Sequence, residues 1–166
     1  MLGDYLEKKY ICYSWQWEIW PINQRDRPAK KEKKIKQDVV IQLGHGTYEP
    51  KNCKWFRFSD KLDKYYNHAD LVISHGGPGT VFEILRKKKK LIAIPNRDRT
   101  DPKHQVEYLR AMADETDSML YCDRVKDIEY CLDKAKRYKF TKYKAPECSM
   151  HLVIKKFLDK RFKRDE

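Results

Sequence analysis

The chain has 166 residues, enough for one ordinary domain with a real core and short of two comfortable ones. Lysine and arginine number 37 against 25 aspartate and glutamate, a formal net charge of +12; this points to an anionic partner, whether nucleotide phosphate, nucleic acid or an acidic membrane surface, without choosing among them. The five cysteines, Cys12, Cys53, Cys122, Cys131 and Cys148, are odd in number and widely spread with no CxxC or Cys/His ligand spacing, which argues against a disulfide framework and against a zinc site. A reducing cytosol is the expected home. No run approaches the roughly 20 apolar residues of a bilayer crossing, and "MLGDYLEKKY" lacks the apolar centre of a signal peptide, so membrane contact is expected to be peripheral or through a partner.

In chain order, "DVVIQLG" (38–44), "DLVIS" (70–74) and "KLIAIP" (90–95) are short, β-branched, nearly continuous apolar runs, as expected of strands covered on both faces in a parallel sheet. Helical stretches separate and follow them. "DKLDKYYNHA" predicts a short helix capped by Ser59 or Asp60, "GTVFEILRKKK" a second, and "DPKHQVEYLRAMADE" a third with Pro102 in its first turn. "VKDIEYCLDKAKRY" and "SMHLVIKKFLDKRFK" read as two amphipathic helices, the last capped by Ser149. Strands alternating with helices predict an α/β fold, a Rossmann-like parallel sheet flanked by helices. The Lys30 to Lys36 run is too short to be a linker, and the domain expected is single over 1–166.

In such a sheet ligands collect where strand ends lead into helix N-termini. Three loops qualify: "GHGTYEP", "SHGGPGT" and "PNRDRTDPKHQ". In the middle one, Gly76, Gly77 and Gly79 remove Cβ atoms that would keep a phosphate away, while the first helical amides and the helix dipole attract its charge. Glu83, about one turn in, is placed to accept hydrogen bonds from a ribose diol. The alternative is a tight strand-to-helix turn with Glu83 an ordinary surface residue.

Together "VIQLGHGTYEP", "CKWFRF", "ADLVISHGGPGTVFEILRKKKKLIAIP" and "HQVEYLRAM" resemble the C-terminal, donor-binding domain of glycosyltransferase family 28, the C-terminal half of a GT-B fold. The small stand-alone subunits of that family are the nearest in kind: the cytosolic half of a two-part UDP-N-acetylglucosamine transferase of lipid-linked oligosaccharide synthesis, and bacterial exopolysaccharide counterparts. The resemblance is strongest over 38–132.

The resemblance implies a site. Ser74, His75, Gly76, Gly77, Pro78, Gly79 and Thr80 would hold the nucleotide diphosphate and Glu83 the uridine ribose. His104 and Gln105 match the family's pair that faces the sugar hydroxyls, with a surface histidine as the alternative for His104. Gly44, His45 and Gly46 border the donor or form a plain turn. His45 and His75 are candidate bases, though each can equally bond backbone or phosphate. Asp101 either positions His104 or, the preferred reading, caps its helix. The reaction implied is hexose or N-acetylhexosamine transfer from a UDP-sugar to a lipid-linked acceptor, with UDP leaving. No cofactor is expected, and no metal, since no Asp-x-Asp motif is present and loop amides with a helix dipole can stabilise the leaving charge. In two-domain relatives the acceptor and the base come from the other half of the enzyme. A membrane-anchored, acceptor-binding partner is therefore expected, holding this chain at the cytoplasmic membrane face. The basic tail within 149–166 then lies against that partner or anionic lipid, or is a solvated helix face.

Residues 1–37 depart from the pattern. The family opens on a strand ending in a glycine turn, whereas "YICYSWQWEIWPINQRDRPAKK" holds no glycine, and Pro21 and Pro28 interrupt any long helix. Either a reading-frame slip replaced Ile-Phe-Val-Thr-Val-Gly at Tyr10 to Trp15, which the coding DNA tests, or the segment diverged and Tyr10 to Trp15 still forms the first strand. The run Arg86 to Lys90 reads as a solvated helix end, since cations suit a helix C-terminus. Two rival functions stand beside the transferase. One is a non-catalytic sugar-nucleotide-binding or assembly subunit. The other is nucleic-acid binding through the positive charge, eleven tyrosines and four tryptophans, disfavoured because the basic residues are dispersed and no RNA-recognition or helix-turn-helix signature appears.

Overall fold

The computed structural model describes residues 10–13, 39–45, 49–51, 53–97 and 102–162. Apolar runs without a polar face are stable only where both sides of a sheet are covered. Val39–Gln42 (β2), Leu71–His75 (β4) and Lys90–Ile94 (β5) are such strands, and β4 is buried along its whole length. They join Tyr10–Tyr13 (β1), Lys54–Phe56 (β3) and Met119–Tyr121 (β6) in a six-stranded sheet of order β3-β2-β1-β4-β5-β6. Every pairing is parallel. The segment beginning at Tyr10 is therefore a strand, paired with both β2 and β4. The Lys30 to Lys36 run and most of the atypical N-terminal stretch lie outside the described residues.

Successive side chains along a strand point to opposite faces. Val72, Leu91, Ala93 and Met119 pack with Tyr66, Val81, Ile84, Leu85 and Leu109. Leu71, Ile73, Ile92, Ile94, Leu120 and Cys122 pack on the other side with Cys131 and Ala135. Helices Asp63–His68 (α1), Pro78–Arg86 (α2) and Pro102–Thr116 (α3) thus cover one face, and Ile128–Arg137 (α4) covers the other. The fifth helix, Met150–Arg161 (α5), buries none of its residues. Cys53, Cys122, Cys131 and Cys148 are free thiols, and burial pushes the Cys122 thiol well up.

Three local expectations are corrected. Neither Ser59 nor Asp60 caps α1, whose N-cap position is Leu62; the Ser59 hydroxyl instead accepts the Lys61 N–H at 3.2 Å, the local bonding by which serine competes with a helix. Ser149 stands at the N-cap of α5 but its side chain makes no capping bond. The cationic run after α2 is not merely solvated. Lys87 pairs with Asp63 at 2.7 Å, and Lys89 Nζ donates to the carbonyls of Asn67 and Ala69 at 3.1 and 3.3 Å. A lysine therefore closes the C-terminal end of α1, where the dipole favours it, and Lys88 makes the turn with φ 57°.

Candidate functional site

Parallel strands end together, so the loops after β2, β4, β5 and β6 share the carboxyl edge of the sheet. The loop after β4 is the shortest route into a helix: His75 ends the strand, Gly77 is the N-cap of α2 and Pro78 its first residue. No side chain caps this helix start. The first intrahelical bond runs from the Val81 N–H to the Gly77 carbonyl at 3.0 Å. Proline has no N–H, so the Gly79 and Thr80 amides are the donors at the positive end of the helix. Such an end suits an anion.

The glycines around it serve three different purposes. A Cβ at Gly76 would lie 2.2 Å from Leu109 Cδ1 and 3.3 Å from Gln105 Oε1, and one at Gly77 would lie 2.7 Å from His75 Nε2. At Gly79 it would meet nothing within 4 Å. Gly76 thus admits α3, Gly77 admits the His75 ring, and Gly79 alone opens onto space. The sequence reading treated the three alike; their packing separates them.

The remaining predicted residues divide by location. Ser74 and His75 are buried, with Ser74 Oγ donating to the His75 carbonyl at 3.1 Å. Thr80 is half-buried and Glu83 is exposed one turn further along α2. Gln105 is buried, and its Oε1 accepts the Asn96 N–H at 2.8 Å. The Gly76 N–H donates to the Ile94 carbonyl at 2.8 Å, so the loops after β4 and β5 and the first turn of α3 are joined. His104 stands on the exposed side of that turn. Gly44 takes φ 57°, a left-handed turn that suits glycine, and donates its N–H to the Arg57 carbonyl at 3.0 Å. His45 is exposed with its ring edge-on to Phe58, centroids 4.9 Å apart. It belongs to the end of β2, with β1 between β2 and β4. Gly46 and Asp101 lie outside the described residues.

Sequence reasoning named the loop after β5 but missed a cluster at its far side. Asp123, just past β6, accepts from Arg97 Nη2 at 2.7 Å, from Arg110 Nη2 at 3.1 Å and from the Tyr121 hydroxyl at 2.6 Å, all at Oδ1. Arg124 Nε approaches Oδ2 at 3.5 Å. The hydrogen bond from Tyr121, joined by the arginine charges, holds the Asp123 carboxyl below its ordinary range. Partial burial and then the bond to Asp123 push the Tyr121 phenol up. The Arg110 guanidinium also lies 5.3 Å from the centroid of the Tyr121 ring. Beside the cluster, Arg97, Lys103, Val106, Glu107 and Arg110 line an open cleft of about 210 Å³. Pairings at such long sequence separations leave no local pattern to read.

Among the described residues no group of three or more His, Cys, Asp or Glu stands where it would hold a metal ion, and no helix is long and apolar enough to cross a membrane.

Comparison with known proteins agrees with this architecture. Residues 22–156 match the family described as glycosyltransferase family 28 C-terminal domain. A relative from Debaryomyces hansenii, the UDP-N-acetylglucosamine transferase subunit ALG13, is 27% identical over 143 residues. That match takes in 74% of this chain and 65% of the relative, so this chain spans just under two thirds of the relative's length. A solution structure of ALG13 superposes with a TM-score of 0.57 at 16% identity, covering 95% of this chain and 98% of that one. Acinetobacter baumannii MurG superposes with a TM-score of 0.56 at 20% identity, covering 79% of this chain and 42% of that one. These likenesses give the fold: one Rossmann-like half of a GT-B glycosyltransferase.

Proposed function

The chain belongs to the glycosyltransferase family 28 C-terminal domain family, and from that premise we propose that it is the donor-binding subunit of a UDP-sugar transferase. The observation that carries this reading is the helix start at Gly77–Thr80: uncapped, at the carboxyl end of a central strand, and open at Gly79. A diphosphate seated there would receive the Gly79 and Thr80 amides, with Glu83 one turn away for the ribose diol. The Nε2 end of Gln105 and the exposed ring of His104 would then meet the sugar. The donor in the relative's name, UDP-N-acetylglucosamine, is the one to test first.

In transfer, an acceptor hydroxyl oxygen bonds to the anomeric carbon while the bond from that carbon to the phosphate oxygen breaks. UDP leaves with the electron pair, and helix-start amides stabilise the charge that develops there. The acceptor's proton needs a base. His75 is buried with its ring beside Gly77, and His45 stands at the end of a different strand against Phe58. Both facts favour a base on a partner subunit, which would be membrane-anchored and bring a lipid-linked acceptor to this chain. The exposed apolar side chains of α5, among them Leu152, Ile154 and Phe157, with Lys155 and Lys156 between them, support such a partner.

Calorimetric titration of UDP into the wild-type chain and a Gly79→Leu variant tests the donor site. Because position 79 has room, the variant is expected to melt like the wild type yet bind UDP about tenfold or more weakly, since a bulky side chain would hold the phosphate off the amides. Absence of UDP binding by the wild type, or equal affinity in the variant, sinks the reading.

A further inference from the structure

We infer that Asp123 is a positioning residue for sugar recognition: by clamping Arg97 and Arg110 it fixes residues 95–97, which follow β5, against α3, next to the diphosphate site. The inference rests on the donor-site reading above and goes beyond it, naming a residue just past β6, a strand that takes no part in the phosphate cradle.

His75 of β4 lies opposite Ile94 of β5, so residues 95–97 emerge beside the glycine loop. Whatever extends from a diphosphate on that side meets this loop and the first turn of α3. Two bonds hold the junction from within, Gly76 N–H to the Ile94 carbonyl and Asn96 N–H to Gln105 Oε1. The third hold is external and electrostatic. A single carboxylate oxygen accepts from Arg97 on the loop and from Arg110 two turns along α3. Tyr121 fixes that oxygen with its hydroxyl and offers its ring to the Arg110 guanidinium. Planar guanidinium groups sharing one charged acceptor give a directional restraint of the kind that sets a loop's position. Without it, Arg97 and Arg110 would repel each other across the same space, and Arg97 would lose its hold toward α3 while the two inner bonds remain.

The consequence is selective. The Gly79 and Thr80 amides do not depend on Asp123, so the nucleotide diphosphate should still bind when the clamp is cut, while the added affinity from the sugar should not survive. Titrations of UDP and of UDP-N-acetylglucosamine into wild type, Asp123→Asn and Asp123→Glu read this as a ratio of affinities. In Asp123→Asn, UDP affinity is expected to stay within about twofold, and the preference for the UDP-sugar over UDP to fall by about three- to fivefold, the scale of an exposed ion-pair network. Asp123→Glu, which keeps the charge, should restore part of the preference. A ratio unchanged in Asp123→Asn, or equal loss for both ligands, overturns the inference while leaving the donor site intact. A wild-type chain that binds neither ligand removes the donor-site reading and the inference with it.

Discussion

Gly76 and Gly79 lie three residues apart, one in the loop after β4 and the other in the first turn of α2, and answer to different physics. At position 76 an added methyl meets Leu109 Cδ1 at 2.2 Å, and the backbone N–H is engaged with Ile94. Gly76→Ala therefore has to push a fully buried leucine out of its place between α3 and the sheet, and should destabilise the fold by about 1–3 kcal/mol, as overpacking does. Gly79→Ala adds the same methyl to open space at the second helical residue, and its effect on stability should stay within about 0.5 kcal/mol. Chemical denaturation of the two variants measures the contrast; a Gly79→Ala loss as large as that of Gly76→Ala would contradict the packing described. The same contrast explains what was legible in the sequence at this scale. A cluster of glycines before a helix announces a close approach without naming what approaches. For Gly76 the visitor is a leucine 33 positions on, which no local pattern reveals.

At the scale of elements, the strands that could be read are those whose chemistry is continuous. β2, β4 and β5 each carry a β-branched apolar run, and burial on both faces follows from it in β4 and β5, while β2 is only partly buried. β3 and β6 are three residues each, too short for any period to show, and they owe their existence to pairing with β2 and β5 rather than to their own sequence. The helices were legible from spacing to within a few residues, except at the start of α1, where a serine bonds locally. The cationic turn between α2 and β5 hid a tertiary role, because charge reads as solvation until a partner is seen. Its Lys89 reaches back 20 and 22 positions to the end of α1. Lys89→Met keeps the length and apolar stem but leaves those carbonyls without their charged donor. It should cost about 1 kcal/mol, since the bonds are partly exposed. Hydrogen exchange should localise the loss to amides of α1, and uniform loss across the sheet would refute that assignment.

Among the described residues, the two faces of the sheet are closed by α1, α2 and α3 on one side and α4 on the other, and α5 buries none of its residues. Met150, Leu152, Val153, Ile154, Phe157 and Leu158 are all exposed, and Met150, Val153, Ile154, Phe157 and Leu158 recur at the helical spacing that sets them along one side. Because none of these side chains is buried, replacing two of them should leave folding alone. Ile154→Asp combined with Phe157→Asp should change the unfolding free energy by no more than about 0.5 kcal/mol, as expected of surface sites. It should also abolish most of the chain's binding of a hydrophobic dye, which reports exposed apolar surface directly. A marked drop in stability instead would mean that α5 packs against the domain. Loss of dye binding with stability retained would mark α5 as exposed apolar surface that the fold does not use. The net charge of +12 acts over longer range than this helix, so added salt should weaken UDP binding without changing the dye signal from α5.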